Sequence, residues 1–379
     1  MTSRILAGDA ATWRSNRTGI KWGAYAPDVL PLWVAEMDAA PCAPVVEAVT
    51  AAMRRGDTGY PLGREFVDAA ADYARDTWSW TFSPALASPV ADVMIGVGEI
   101  VREVTDPGGT VVISSPVYNA FFDFLSMMGR EISDAPLTTQ GRLDPEALDR
   151  AFGAATAGGG RTAYLLCNPQ NPTGTVHTRA ELESLAEIAD RHGVVVVADE
   201  IHAPIVHEGT FTPYLSVTGG ERGVCLTSAS KAWNLAALKA AVVVRGAEAP
   251  ASMELHEVHS HGASHLGQIA AISAWVDGRD WLAQVTQEIS ENRTLLGRLL
   301  AEHLPQVGYA APAATYLAWL DFRALGWGDD PASLLRERAR VALSSGPSFG
   351  ERGKGFARLN LATSPEILTE AVERMAKAS

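Results

Sequence analysis

An α/β fold built on a mostly parallel sheet is predicted by three observations. Residues 194–198 are an unbroken run of Val and Ala, and 110–114 and 164–167 are similar apolar runs. Strands buried on both faces read this way. Between 164–167 and 194–198 lies a helix with clear punctuation. Thr178 and Glu181 form a capping box, Leu182, Leu185, Ile188 and Ala189 share one face, and Gly193 closes it. Finally, Asn168, Asp199 and Lys231 each follow an apolar run. In open α/β sheets ligands bind outside the carboxyl ends of the strands.

Taken in order, residues up to about Pro44 read as extended and loop-rich. Residues 44–55 predict a helix with Val45, Val46, Val49 and Met53 on one side. Residues 90–97 read as a strand that opens through Gly96 and Gly98 into a helix ending near Val104. Glycines between a strand and a helix leave N–H groups free for an anion, so Gly98 and Glu99 are the expected donors. The 110–114 strand leads to Tyr118, and Asp144-Pro145 starts a helix. The apolar run 223–226 ends at Thr227-Ser228-Ala229-Ser230-Lys231. A lysine held at such a strand end is partly desolvated, its amine pKa falls, and its lone pair becomes available. That is what a lysine forming a Schiff base requires. A strand at 240–244 follows, then a long helical region at 279–303. Residues 315–322 form a strand containing Trp319, and Ser364-Pro365 caps the last helix.

The 379 residues, 47% of them hydrophobic, suffice for one large domain and a smaller one. A net charge of −13 argues against nucleic acid or an anionic membrane as partner. The three cysteines, Cys42, Cys167 and Cys225, suggest reduced thiols and a cytoplasmic setting. No apolar run reaches membrane-spanning length, and Met1-Thr2-Ser3-Arg4 does not open a signal peptide. His256, His259, His261 and His265 cluster locally. Zinc would need an acid or cysteine to complete the set; contact with substrate is the other functional reading.

Asn168-Pro169-Gln170-Asn171-Pro172-Thr173-Gly174, then Asp199-Glu200-Ile201-His202, then Ser228-Ala229-Ser230-Lys231, resembles the class I/II aminotransferase family of fold-type I pyridoxal 5'-phosphate (PLP) enzymes. The stretches from Asn16 to Trp22 and from Leu30 to Asp38, together with His202, look like its cystathionine β-lyase (C–S β-lyase) branch. The resemblance runs from about Asn16 to about Ser364. It implies a large domain with a mostly parallel seven-stranded sheet flanked by helices, plus a smaller α+β domain. The corresponding division is an N-terminal extended segment at 1–44 joining the small domain, a PLP-binding domain at 45–275 and a small domain at 276–379. It also implies a homodimer with active sites shared across the interface.

Carried over residue by residue, the resemblance makes Lys231 the covalent anchor of PLP and the catalytic base. Tyr118, the other catalytic candidate, would stack on the cofactor ring. Asp199 would pair with the ring nitrogen, and Asn171 and His202 would contact the ring's oxygen. Gly98, Glu99, Ser228, Ser230, Lys239 and Tyr60 of a neighbouring subunit would hold the phosphate. Arg358 would grip the carboxylate of an amino-acid substrate. No metal is implied. The expected activity is β-elimination from cystathionine or another S-substituted L-cysteine, giving a thiol, pyruvate and ammonia. The alternatives are transamination, or decarboxylating oxidative deamination of an S-conjugated cysteine in secondary metabolism. Ala39, Ala203-Pro204 and Ala237 depart from the branch near the pocket and bear on substrate choice more than on the cofactor.

Overall fold

The computed structural model describes residues 4–250, 253 and 255–378. The opening Met1-Thr2-Ser3 lies outside the described residues. A seven-stranded sheet organises the fold. In spatial order its strands are Ala87–Val90, Ala241–Arg245, Val224–Thr227, Val195–Asp199, Ala163–Cys167, Thr110–Ile113 and Glu131–Asp134. The last five are mutually parallel; Ala241–Arg245 runs antiparallel to both of its neighbours.

The apolar runs pack as strands buried on both sides must. Val111, Ile113, Leu165, Val197 and Leu226 face one helical layer, while Val112, Tyr164, Leu166, Val196 and Cys225 face the other core. The register pairs Cys167 with Asp199 and Asp199 with Leu226, so the polar strand exits lie side by side. Helix Arg179–His192 carries the expected capping box of Thr178 and Glu181 and ends at Gly193 in the left-handed region.

One expected strand is overturned. The chain is extended only over Ala87–Val90 and is helical over Val93–Val104, capped by Asp92. Val93, Val97, Ile100, Val101 and Val104 are buried at helical spacing, and this burial outweighs the strand preference of the valines. Gly96 therefore sits inside the helix, where it lets the helix approach the sheet. A Cβ there would lie 2.5 Å from Leu226 Cδ2 and 3.1 Å from Val243 Cγ2. Gly96→Ala is expected to destabilise the protein by about 1–3 kcal/mol, readable as a lower thermal midpoint. An unchanged midpoint would show that the helix can shift at no cost.

A four-stranded antiparallel sheet follows later in the chain, ordered Ser344–Ser345, Phe356–Asn360, Leu317–Asp321 and Gly308–Tyr309. Arg358 sits mid-strand in it, opposite Trp319 on one side and Ser344 on the other. The N-terminal segment is less extended than expected, with helices Ala10–Asn16 and Ile20–Gly23. Beyond them Leu30–Pro31 pairs in parallel with Val341–Ala342. Lys21 and Asp38 form a buried ion pair at 2.8 Å, and the Trp22 indole donates to Asp38 at 2.7 Å. These contacts fix residues 30–38 against the C-terminal strands and bring Ala35 beside Lys231.

Candidate active site

Eight of the sequence-predicted residues line one cavity of about 270 Å³ at the carboxyl ends of the parallel strands: Tyr118, Asn171, Asp199, His202, Ser228, Ser230, Lys231 and Lys239. Its position follows from topology, since parallel strands deliver their exits to one edge. The Asn168–Gly174 loop is pinned there by side chains. Asn168 donates to Glu200 Oε1 and to Thr212 O, and Gln170 donates to Pro116 O at 2.8 Å. Gly174, with φ +68°, has room for no Cβ, which would meet Ala314 O at 2.7 Å.

Lys231 donates to the main-chain oxygen of Ala35 at 3.1 Å, and the Tyr316 hydroxyl donates to the same oxygen at 3.1 Å. Burial draws the Lys231 amine down to about 8, helped by the field of Arg358 and opposed by Asp199. Asp199 accepts from the Ile201 N–H at 3.1 Å and has no cation within ion-pair distance among the described residues. Its carboxyl is pushed up to about 7 by burial. His202 is held neutral by burial, its Nδ1 lacks a hydrogen-bond partner, and its ring meets Tyr316 edge-on. Burial also pushes the Tyr118 phenol up to about 12. Ser228 Oγ donates to Ala240 O at 2.7 Å and accepts from Ser230 N at 3.1 Å.

Arg358 stands behind the cavity wall. It donates to Asn171 Oδ1 at 2.9 Å, and to Trp33 O and Ser344 Oγ at 3.1 Å, and lies over the Phe349 ring. Burial lowers its guanidinium to about 10, and no carboxylate pairs with it among the described residues.

Two expected residues are misplaced. Gly98 and Glu99 do not reach the cavity, because both lie within helix Val93–Val104. Glu99 instead pairs with Arg102 at 2.6 Å. The helix N-terminus that does face the cavity belongs to Asp92, Val93 and Met94. Tyr60 is 88% exposed and takes no part in its own chain's cavity; the nearest ring to it is that of His261, at 6.1 Å. Of the histidine cluster, His265 bonds Asp57 at 2.9 Å and His259 lies 3.9 Å from Glu99. Among the described residues no three potential metal ligands converge.

Three contributors escaped the sequence reading: Asp92, the Ala35 carbonyl and Tyr316. Asp92 was detectable as a capping acid ahead of an apolar stripe. The other two depend on contacts between distant segments.

The buried acids also set a pH response. Burial raises Asp199 to about 7 and Glu200 to about 8. In the folded chain each keeps a proton that the unfolded chain has already lost, so stability falls as pH rises from the ordinary carboxylate range to those values. Burial lowers His177, His202 and His207, which act in the opposite sense, but only below their ordinary 6.5. Lys231 adds stability only above about 8. Between about pH 6.5 and 8 the two acids cost roughly 2–3 kcal/mol at 1.36 kcal/mol per pKa unit, and the ends of the histidine and Lys231 titrations return part of it. The cofactor-free protein should therefore lose about 1 kcal/mol over that range. Thermal midpoints across that range would show it, and Glu200→Gln should flatten the curve. A wild-type midpoint that rises instead would place the acids' pKa values elsewhere.

A cavity at the carboxyl edge of the parallel sheet that joins a lysine of lowered pKa to an acid lacking a cation, with a buried arginine from the smaller sheet behind its wall, defines a fold-type I PLP-dependent enzyme. The donor set fits that cofactor: Asp199 lacks a cationic partner, and Lys231 offers an amine that loses its proton far more readily than an ordinary lysine. The chain belongs to the aminotransferase class I and II family, whose sequence profile matches residues 27–375. It is 48% identical to a Mycobacterium tuberculosis protein named "putative cystathionine beta-lyase", covering 96% of this chain and 95% of that one. It is 34% identical to the cystathionine beta-lyase of Corynebacterium glutamicum, covering 95% and 96%. The crystal structure of a "putative PLP-dependent beta-cystathionase" from Corynebacterium diphtheriae superposes with a TM-score of 0.91. The two are 35% identical, over 99% of this chain and 98% of that one.

Proposed function

We propose that this protein is a PLP-dependent C–S β-lyase that cleaves cystathionine or another S-substituted L-cysteine to a thiol, pyruvate and ammonia. The observation that carries the reading is Lys231, an amine drawn down to about 8 in the same cavity as Asp199. The named relatives supply the choice of β-elimination.

PLP, when bound, supplies an electron-withdrawing ring that takes up the charge left on the substrate's α-carbon. Asp199 would pair with the ring nitrogen, and that cation would in turn hold the carboxyl ionised. Asn171 and His202 would contact the ring oxygen, and Tyr118 would cover a ring face. Ser228, Ser230 and Lys239 would hold the phosphate at the start of helix Val93–Val104. Arg358 would exchange its bonds to Trp33 and Ser344 for a two-point grip on the substrate carboxylate. That grip orients the α-hydrogen toward Lys231. The Lys231 amine takes the α-proton and can return a proton to the departing sulfur. A thiolate is a tolerable leaving group, with a pKa of about 8.5. Addition of one water balances the products.

The exposure of Tyr60, away from its own cavity, supports a homodimer in which Tyr60 reaches the neighbouring subunit's phosphate. Three free buried cysteines support a reducing, cytoplasmic setting. No helix among the described residues is long and apolar enough to cross a membrane.

The test is to mix the purified PLP-loaded protein with cystathionine, cystine and S-alkyl cysteines. Pyruvate and free thiol should form without any keto-acid acceptor. Turnover that requires an added keto acid would assign transamination instead.

A further inference from the structure

The cavity carries an acid where an anion is to be held. Asp92 caps helix Val93–Val104, and its Oδ1 accepts the Met94 N–H at 2.9 Å. Its other oxygen, Oδ2, lies 2.6 Å from Lys239 Nζ. Both side chains line the cavity together with Ser228 and Ser230. A carboxylate thus already holds one free helix-terminal donor and the one lysine charge at that end. These are the groups that elsewhere are left open for a phosphate. No arginine lines the cavity among the described residues to supply a second positive charge. The field of Asp92 also reaches inward, opposing ionisation of Asp199 and favouring the charged form of Lys231.

We propose that Asp92 is a built-in competitor for the phosphate seat: it weakens the hold on the cofactor's phosphate by occupying Lys239 and the first turn of helix Val93–Val104. This rests on the PLP reading above. With Asp92 in place, a phosphate dianion meets a neutralised lysine and a like charge. Binding then requires Lys239 to turn from carboxylate to phosphate, and part of its attraction is spent on the exchange. Lys239 can make that turn because more than half of its side chain is exposed. The cofactor should therefore be held mainly through Lys231, and should leave readily once that bond is opened.

Asp92→Asn tests this cleanly, since asparagine caps a helix about as well as aspartate and keeps the shape. Cofactor-free wild type, Asp92→Asn, Lys239→Gln and the double variant would be titrated with PLP, with inorganic phosphate and with pyridoxal, following tryptophan fluorescence. Asp92→Asn should bind PLP and phosphate about tenfold more tightly, on the scale of one partly screened charge contact. It should tighten pyridoxal, which lacks the phosphate, far less, by only what the field on Lys231 and Asp199 contributes. Lys239→Gln should cost little in the wild type and about tenfold in the Asp92→Asn background, because only there is its charge free. Equal or weaker PLP binding by Asp92→Asn would overturn the proposal. So would an equal gain for pyridoxal, which would trace the effect to Lys231 and Asp199. If wild type and variants alike take up no PLP, the functional reading itself fails, an outcome distinct from uptake with unchanged affinity.

Discussion

Lys231→Ala is expected to abolish β-elimination and to remove the visible absorbance of the lysine-bound cofactor. Two functions are lost at once. The covalent anchor disappears, and so does the base that takes the α-proton, a role worth about 10²–10⁴-fold by itself. Stopped assays for pyruvate, together with absorbance spectra of protein soaked in PLP, would check both. Lys231→Arg should not rescue, because a guanidinium stays protonated at every working pH. Reduction of the loaded wild type with borohydride should fix the cofactor to the peptide containing Lys231. Label on any other lysine would sink the assignment. The fold should survive the substitution, since Lys231 makes one hydrogen bond, to Ala35 O.

Arg358→Lys is expected to lower kcat/KM by about 10²–10³-fold, with most of the loss in KM. Truncating one partner of a buried charged contact costs about 2–5 kcal/mol. A lysine supplies the charge without the planar fork that meets a carboxylate at two points. The guanidinium is held in place by its bonds to Asn171, Trp33 and Ser344 and by the Phe349 ring, and the bonds to Trp33 and Ser344 are the ones it would exchange for the carboxylate. Steady-state kinetics on an S-substituted cysteine and on its decarboxylated amine would separate the roles. The variant should discriminate far less between the two. If wild type and variant show the same preference for the carboxylate, Arg358 is structural.

Much of the large sheet and most of the cavity were legible in the sequence because both rest on short-range signals. Runs such as 194–198 announce buried parallel strands, and topology then places Asp199 and Lys231 together. The capping box at Thr178 and Glu181 needs only local residues. The failure at 93–97 has an equally local cause: valine favours strands, and the helical spacing of the buried positions competes with that preference. With the helix start set several residues too late, the anion seat falls at Gly98 and Glu99 rather than at Asp92 and Met94. Tyr316 was illegible for another reason. Its hydroxyl reaches Ala35 from 281 residues away, and no local pattern encodes such a meeting.

The oxygen that receives the Lys231 amine belongs to the peptide backbone at Ala35, not to a side chain. A substitution at position 35 cannot delete or recharge that acceptor. The basicity of the lysine can be retuned there only mechanically, by displacing the strap that Lys21, Asp38 and Trp22 clamp in place. Damage to that remote clamp would thus surface as a drift in the enzyme's pH–rate profile, with every side chain in the pocket intact.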